Sequence, residues 1–120
     1  MKFLGFIKAD EKYRRQGPPP ALMEAMGKFV QESMQSGVLV DTGGLKPTSA
    51  ATRIRIEKGK LTVSDGPFTE AKEVVGGWAI MQGKSKAEVL AVSKKFMALH
   101  QQYWPDWEGT SELYEMEDYG

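Results

Sequence analysis

Residues 2–8, Lys-Phe-Leu-Gly-Phe-Ile-Lys, set four large apolar side chains between two lysines. In an extended chain Phe3 and Ile7 point to one side and Leu4 and Phe6 to the other, so the pattern predicts a strand apolar on both faces. A sheet built on such a strand needs cover on both sides. Asp10 to Pro20 reads as a charged, proline-rich loop, and Pro18-Pro19-Pro20 lead into a helix where prolines are best tolerated. From about Ala21 to Ser36, Leu22, Ala25, Met26, Phe29, Val30 and Ser33 recur at helical spacing, and Gly37 is the expected cap. The methionines of this helix, Met23, Met26 and Met34, read as core and interface filler.

Val38 to Leu45 predicts a second strand ending at Gly43-Gly44. Thr52 to Glu57 and Leu61 to Ser64 flank Lys58-Gly59-Lys60, which signals a β-hairpin. Ile54 and Ile56 share one face of it, Arg53 and Arg55 the other. Val74 to Gln82 is a further strand with Trp78 and Ile80 opposite Ala79 and Met81, again apolar on both sides. Ser85-Lys86-Ala87-Glu88 is a capping box, and Val89, Val92, Phe96 and Leu99 follow as a helical stripe. This helix should end near His100 to Gln102, before a Trp104-Pro105-Asp106-Trp107 loop and a last strand from about Thr110 to Met116. Neither a repeat nor a domain boundary is visible, so residues 1–120 are expected to form one domain.

The order is β-α-β, a hairpin, then β-α-β. Right-handed crossovers put both helices on one side of the sheet. The expected fold is therefore α+β, a ferredoxin-like split β-α-β with an inserted β-hairpin. One apolar sheet face is left bare, which predicts a partner. The simplest is a second copy on a two-fold axis, giving a homodimer of the dimeric α/β-barrel type.

Composition narrows the chemistry. The chain has 16 Lys plus Arg and 16 Asp plus Glu, a balance that argues against nucleic-acid binding. The charge is nonetheless split, with residues 1–60 net basic and residues 61–120 net acidic, and no base lies between Asp106 and Asp118. Cys is absent and His occurs once, so thiol catalysis is excluded and neither a metal site nor a cofactor is expected. No apolar run approaches the roughly 20 residues that span a bilayer. The opening MKFLGFIKAD lacks the features of a signal peptide, so a cytoplasmic location without membrane association is expected.

The densest chemistry lies in Asp65-Gly66-Pro67-Phe68-Thr69-Glu70-Ala71-Lys72-Glu73, followed by Val74-Val75-Gly76-Gly77-Trp78. Asp-Gly-Pro is turn chemistry, with the Asp carboxylate able to accept backbone N–H groups. One reading has Asp65 capping the turn, with Glu70, Lys72 and Glu73 in solvated ion pairs. The other has Asp65 or Glu73 in a cleft as general base, with Arg53 or Lys72 holding an anionic group. His100, at a helix C-terminus where the dipole favours imidazolium, is the third catalytic candidate. Arg53, Phe68, Glu70, Lys72 and Trp78 form the candidate ligand-binding set, with Asp65 and Glu73 the expected partners of Arg53 and Arg55.

This segment closely resembles the DGPF signature of the YCII-related proteins, in which a DGPF-x-E-x-KE run precedes a Gly-Gly-aromatic strand. Gly44-Leu45-Lys46-Pro47, Thr52-Arg53 and the Trp104-Pro105-Asp106-Trp107-Glu108-Gly109 segment extend the similarity over nearly the whole chain. The resemblance implies a dimeric ferredoxin-like α+β domain. Some relatives are regarded as probable enzymes with a His–Asp pair, a dehalogenase of chlorinated hydroxyquinols among them; their His lies early, where this sequence has none. The DGPF branch is often encoded beside extracytoplasmic-function sigma factors. Two functions are thus in view: a small-molecule enzyme or ligand-binding dimer with a cleft at the motif, or a non-catalytic accessory module of a sigma-factor system.

Overall fold

The computed structural model describes residues 1–118. Strand β1 (Lys2–Ala9) leads into a short helix α1 (Glu11–Gln16), the long helix α2 (Pro20–Ser36) and strand β2 (Leu39–Gly44). A hairpin of β3 (Thr52–Glu57) and β4 (Lys60–Asp65) follows, then β5 (Val74–Gln82), helix α3 (Lys86–Tyr103) and β6 (Gly109–Glu115). The chain is a mixed α+β protein. Four strands form an antiparallel sheet in the order β2-β5-β1-β6, and β3 and β4 pair only with each other.

Helix α1 lies where the sequence suggested a loop. The Asp10 side chain accepts the Lys12 N–H and so caps it, and the chain leaves at Gly17 before the prolines begin. Proline density hid a six-residue helix whose start signal, an Asp before Glu11, was legible. Helix α2 starts at Pro20 and ends at Gly37, and α3 starts on Ser85, whose hydroxyl accepts the Glu88 N–H. Both follow the periodicity.

Register decides what each face carries. Phe3 pairs with Met81, Gly5 with Ala79 and Leu113, and Ile7 with Gly77 and Ser111. These positions face the helices. Phe3, Leu39, Met81 and Val89 form the core, with Val30, Ala79 and Leu113 packed against it. The alternate positions, Leu4 with Ile80 and Tyr114, and Phe6 with Trp78 and Glu112, make the opposite face. That face carries no helix, and Tyr114 on it is 53% exposed. The Phe6 and Tyr114 rings meet edge to face, and Lys8 pairs with Glu112 at 3.3 Å.

The hairpin stands apart from both layers. Lys58 and Gly59 close it with positive φ at both positions, the geometry of a two-residue turn that matches strand twist. Ile54 pairs with Val63 and Ile56 with Leu61, so their four side chains share one face. The described residues fill a slab of 45 × 41 × 18 Å. One helix layer on one sheet accounts for the thin dimension, so the arm extends within the slab and folds over neither layer.

Candidate functional site

Between the sheet and the three helices lies a cavity of about 360 Å³. Its walls are mostly apolar, from Phe29 and Met26 of α2, Phe96 of α3 and the glycine-rich ends of β2 and β5. Tyr13 of α1 and His100 of α3 both pack on Trp107 at one end, and Arg14, Ser33, Thr42, Ser93 and Ser111 are further polar lining residues. Trp104 and Trp107, from the loop after α3, complete that end.

His100 is 6% exposed and is the last basic group of α3. Its Nδ1 lies 3.2 Å from the Phe96 carbonyl oxygen, so the Nδ1–H tautomer donates there and Nε2 is left as an acceptor. Phe96 packs on the ring at 5.1 Å and Trp107 at 4.6 Å. Burial among these rings pushes the His100 pKa below 6.5, against the opposing pull of the carbonyl. Removing the imidazole from water outweighs the carbonyl and favours the neutral form of the ring.

Helix α1 closes the cavity and is held from outside. Tyr13 stacks edge to face on Trp104 at 5.5 Å and donates its hydroxyl hydrogen to the Asp106 carbonyl. Arg14 donates to the Leu45 carbonyl and lies across the glycine positions of β5. A Cβ at Gly76 would sit 3.0 Å from the Arg14 Cδ, which accounts for a Gly at this strand position. Glu11 accepts both the N–H and the hydroxyl of Thr48, at 2.5 and 2.7 Å. These two bonds hold its carboxyl below the usual carboxylate range.

The DGPF motif joins this tether from the other side. The Phe68 N–H donates to the Thr48 hydroxyl oxygen, and the Gly66 N–H donates to the Ala51 carbonyl. A Cβ at Gly66 would overlap the Thr48 carbonyl, so only Gly fits; the Gly66–Pro67 peptide is cis. Arg53 lies 3.9 Å above the Phe68 ring and binds Glu70 at 2.7 Å, which lowers the Glu70 pKa. Asp65 is exposed and accepts the Thr52 hydroxyl at 3.1 Å.

These contacts differ from the expected ones. Arg53 takes Glu70 in place of Asp65 or Glu73, and Arg55 lies 3.9 Å from Glu57. The turn amides go to Thr48 and Ala51, so Asp65 caps nothing. The structure brings Asp65, Arg53, Phe68 and Glu70 together on the outer surface, with Lys72 and Glu73 exposed nearby in sequence. Of the candidate residues His100 lines the cavity, and Trp78 borders it from a strand position whose side chain the register assigns to the opposite face. Sequence reasoning missed Glu11, Tyr13, Arg14 and Thr48, the first three because α1 was hidden and Thr48 because nothing marks it. Among the described residues no cluster of three potential metal ligands occurs. No helix among them is long and apolar enough to cross a membrane.

The family model for the YCII-related domain matches residues 1–99, which include α1, the hairpin, the motif and nearly all of α3. The chain belongs to the YCII-related family. A curated relative, an uncharacterized protein of Rhizobium meliloti strain 1021, is 32% identical over 69 residues. That match takes in 58% of this chain and spans 56% of the relative. In this YCII-related chain the family match stops at residue 99, so His100 and the two tryptophans at the cavity end lie beyond it.

Proposed function

We propose that the chain binds a small, largely apolar aromatic molecule in the cavity beneath α1, with His100 accepting a hydrogen from a hydroxyl of that ligand. The observation that carries this reading is a buried His100, its Nδ1 on the Phe96 carbonyl, at an aromatic-lined cavity of about 360 Å³. That volume falls in the roughly 300–1,000 Å³ range of small-molecule sites. Arg14, which also lines the cavity, supplies a cation for an acidic substituent. Nε2 is placed to take the hydroxyl proton, the first step of base-catalysed chemistry on such a ring. The DGPF loop contributes through Thr48 and Glu11, by holding α1 over the ligand.

Trp104 and Trp107 line the cavity, so their emission reports occupancy. Titration with phenol, 4-hydroxybenzoate and a chlorinated catechol should quench it saturably at one site per chain. His100→Leu should weaken the hydroxylated ligands about tenfold, one lost hydrogen bond, and leave toluene unaffected. An absence of saturable quenching at millimolar ligand, or equal losses for both ligand types, overturns the reading.

The two β-α-β units and the strand order β2-β5-β1-β6 support a ferredoxin-like fold. Leu4, Phe6, Trp78, Ile80 and Tyr114 on the helix-free face support a homodimer of the dimeric α/β-barrel type, paired through that face. A second reading, an accessory module that works through protein contacts, is favoured by the uncovered hairpin.

A further inference from the structure

We propose that the β3–β4 arm of one chain packs its bare aliphatic face on the helix-free sheet face of a second copy, beside that copy's β6. This rests on the pairing proposed above and names a surface that makes it.

Ile54, Ile56, Leu61 and Val63 are 68, 74, 64 and 66% exposed, although they are paired across the hairpin and aligned on one side. A lone two-stranded hairpin is marginal in water, and an aliphatic face of this kind marks a contact surface. Among the described residues nothing covers this face of the arm. Its extension within a slab 18 Å thick leaves it clear of its own layers and free to reach a slab stacked on the sheet side.

Charge selects the occupant. The arm carries Arg53, Arg55, Lys58 and Lys60 against Glu57 and Asp65. Two arms facing each other would bring like charges together. The segment from Asp106 to Asp118 has six acids and no base, and Glu112 lies on the helix-free face beside Phe6. Arg53 and Arg55 face away and are paired with Glu70 and Glu57, so an arm laid along β6 meets apolar rings under its aliphatic side chains and sets its tip lysines, Lys58 and Lys60, toward the acidic segment. The two-fold relation makes the contact twice, and two arms with two sheet faces together can bury the roughly 1,000 Å² or more that stable interfaces require.

Sedimentation velocity on the full chain tests this. The parent should sediment at twice 13.4 kDa at micromolar concentration and dissociate as salt is raised. Ile56→Ser/Leu61→Ser, with unchanged circular dichroism, should raise the dimer Kd by roughly 100-fold or more, as four aliphatic groups per dimer lose their cover. Lys58→Glu/Lys60→Glu should weaken pairing and abolish its salt sensitivity. A parent of 13.4 kDa overturns the pairing itself. A serine double variant that pairs like the parent overturns the arm contact and leaves the sheet-face pairing standing.

Discussion

Phe3, Leu39, Met81 and Val89 are four apolar side chains with exposures of 2, 7, 6 and 0%. Ile54, Ile56, Leu61 and Val63 are four more, with exposures of 68, 74, 64 and 66%. Residue type does not distinguish the two sets. In the first set Phe3, Leu39 and Met81 lie on strands covered by α2 and α3, and Val89 is on α3 itself; the second set lies on strands that, among the described residues, pair only with each other. Burial is a property of what packs against a strand, and the same aliphatic pattern stabilises a fold in one place and offers a surface in the other.

The sharpest way to break this comparison is to truncate one member of each set. Phe3→Ala should cost about 3–5 kcal/mol in urea unfolding, the transfer loss plus the cavity left behind. Ile54→Ala, measured at a protein concentration low enough for monomers, should stay within about 0.5 kcal/mol. Equal losses would mean that the arm is buried in the monomer.

A smaller effect is expected at the junction between the two regions. Thr48→Val removes the acceptor of the half-buried Phe68 N–H, an expected loss of about 1–3 kcal/mol by thermal unfolding. It also removes the hydroxyl bond to Glu11 and leaves the one from the Thr48 N–H, so ligand-induced tryptophan quenching should weaken modestly as α1 loosens. Unchanged ligand affinity in a stably folded Thr48→Val would separate the motif from the cavity.

Acid should act on both regions in the same direction. Burial lowers the His100 pKa, so the unfolded chain binds the proton more readily; the stability associated with the neutral ring is present above pH 6.5 and is lost as pH falls through the folded value. Affinity for a hydroxylated ligand should fall over the same range, since protonated Nε2 cannot accept. Glu11, lowered by Thr48 with Arg15 adding to the shift and Asp10 opposing it, contributes above its unfolded value of 4.5 and loses that contribution as pH falls through its folded value. His100→Leu should remove the higher of the two transitions from a pH titration of the melting temperature. A higher transition that survives in His100→Leu would assign it elsewhere.

The smallest change is expected from Asp65→Ala. Its carboxylate is exposed and bonded only to the Thr52 hydroxyl, so melting should shift within about 0.5 kcal/mol. A loss as large as that of Thr48→Val would restore Asp65 as the organiser of the turn.

Element identity was legible from local patterning. The stripes of α2 and α3, the Ser85 cap, the hairpin at Lys58-Gly59-Lys60 and the two-sided apolar strands each depend on neighbours within a few positions, and each appears where the pattern put it, with Lys60 drawn into β4. The DGPF run likewise marked family membership. The site was less legible. Its pieces come from Tyr13, Arg14, Phe96, His100 and Trp107, far apart in sequence and joined only when α1 and the last loop close over the sheet. The partners of Arg53 and of the turn amides are long-range choices too, since Glu70, Thr48 and Ala51 compete on equal local terms with Asp65. The lowered pKa of His100 follows from its burial among the surrounding rings, which its place at a helix end did not show. Short-range sterics and periodicity determine which elements form. Which polar group meets which, and which apolar face is covered, is set by packing between distant segments, because desolvation and hydrogen bonding depend on the neighbours that tertiary structure brings into contact.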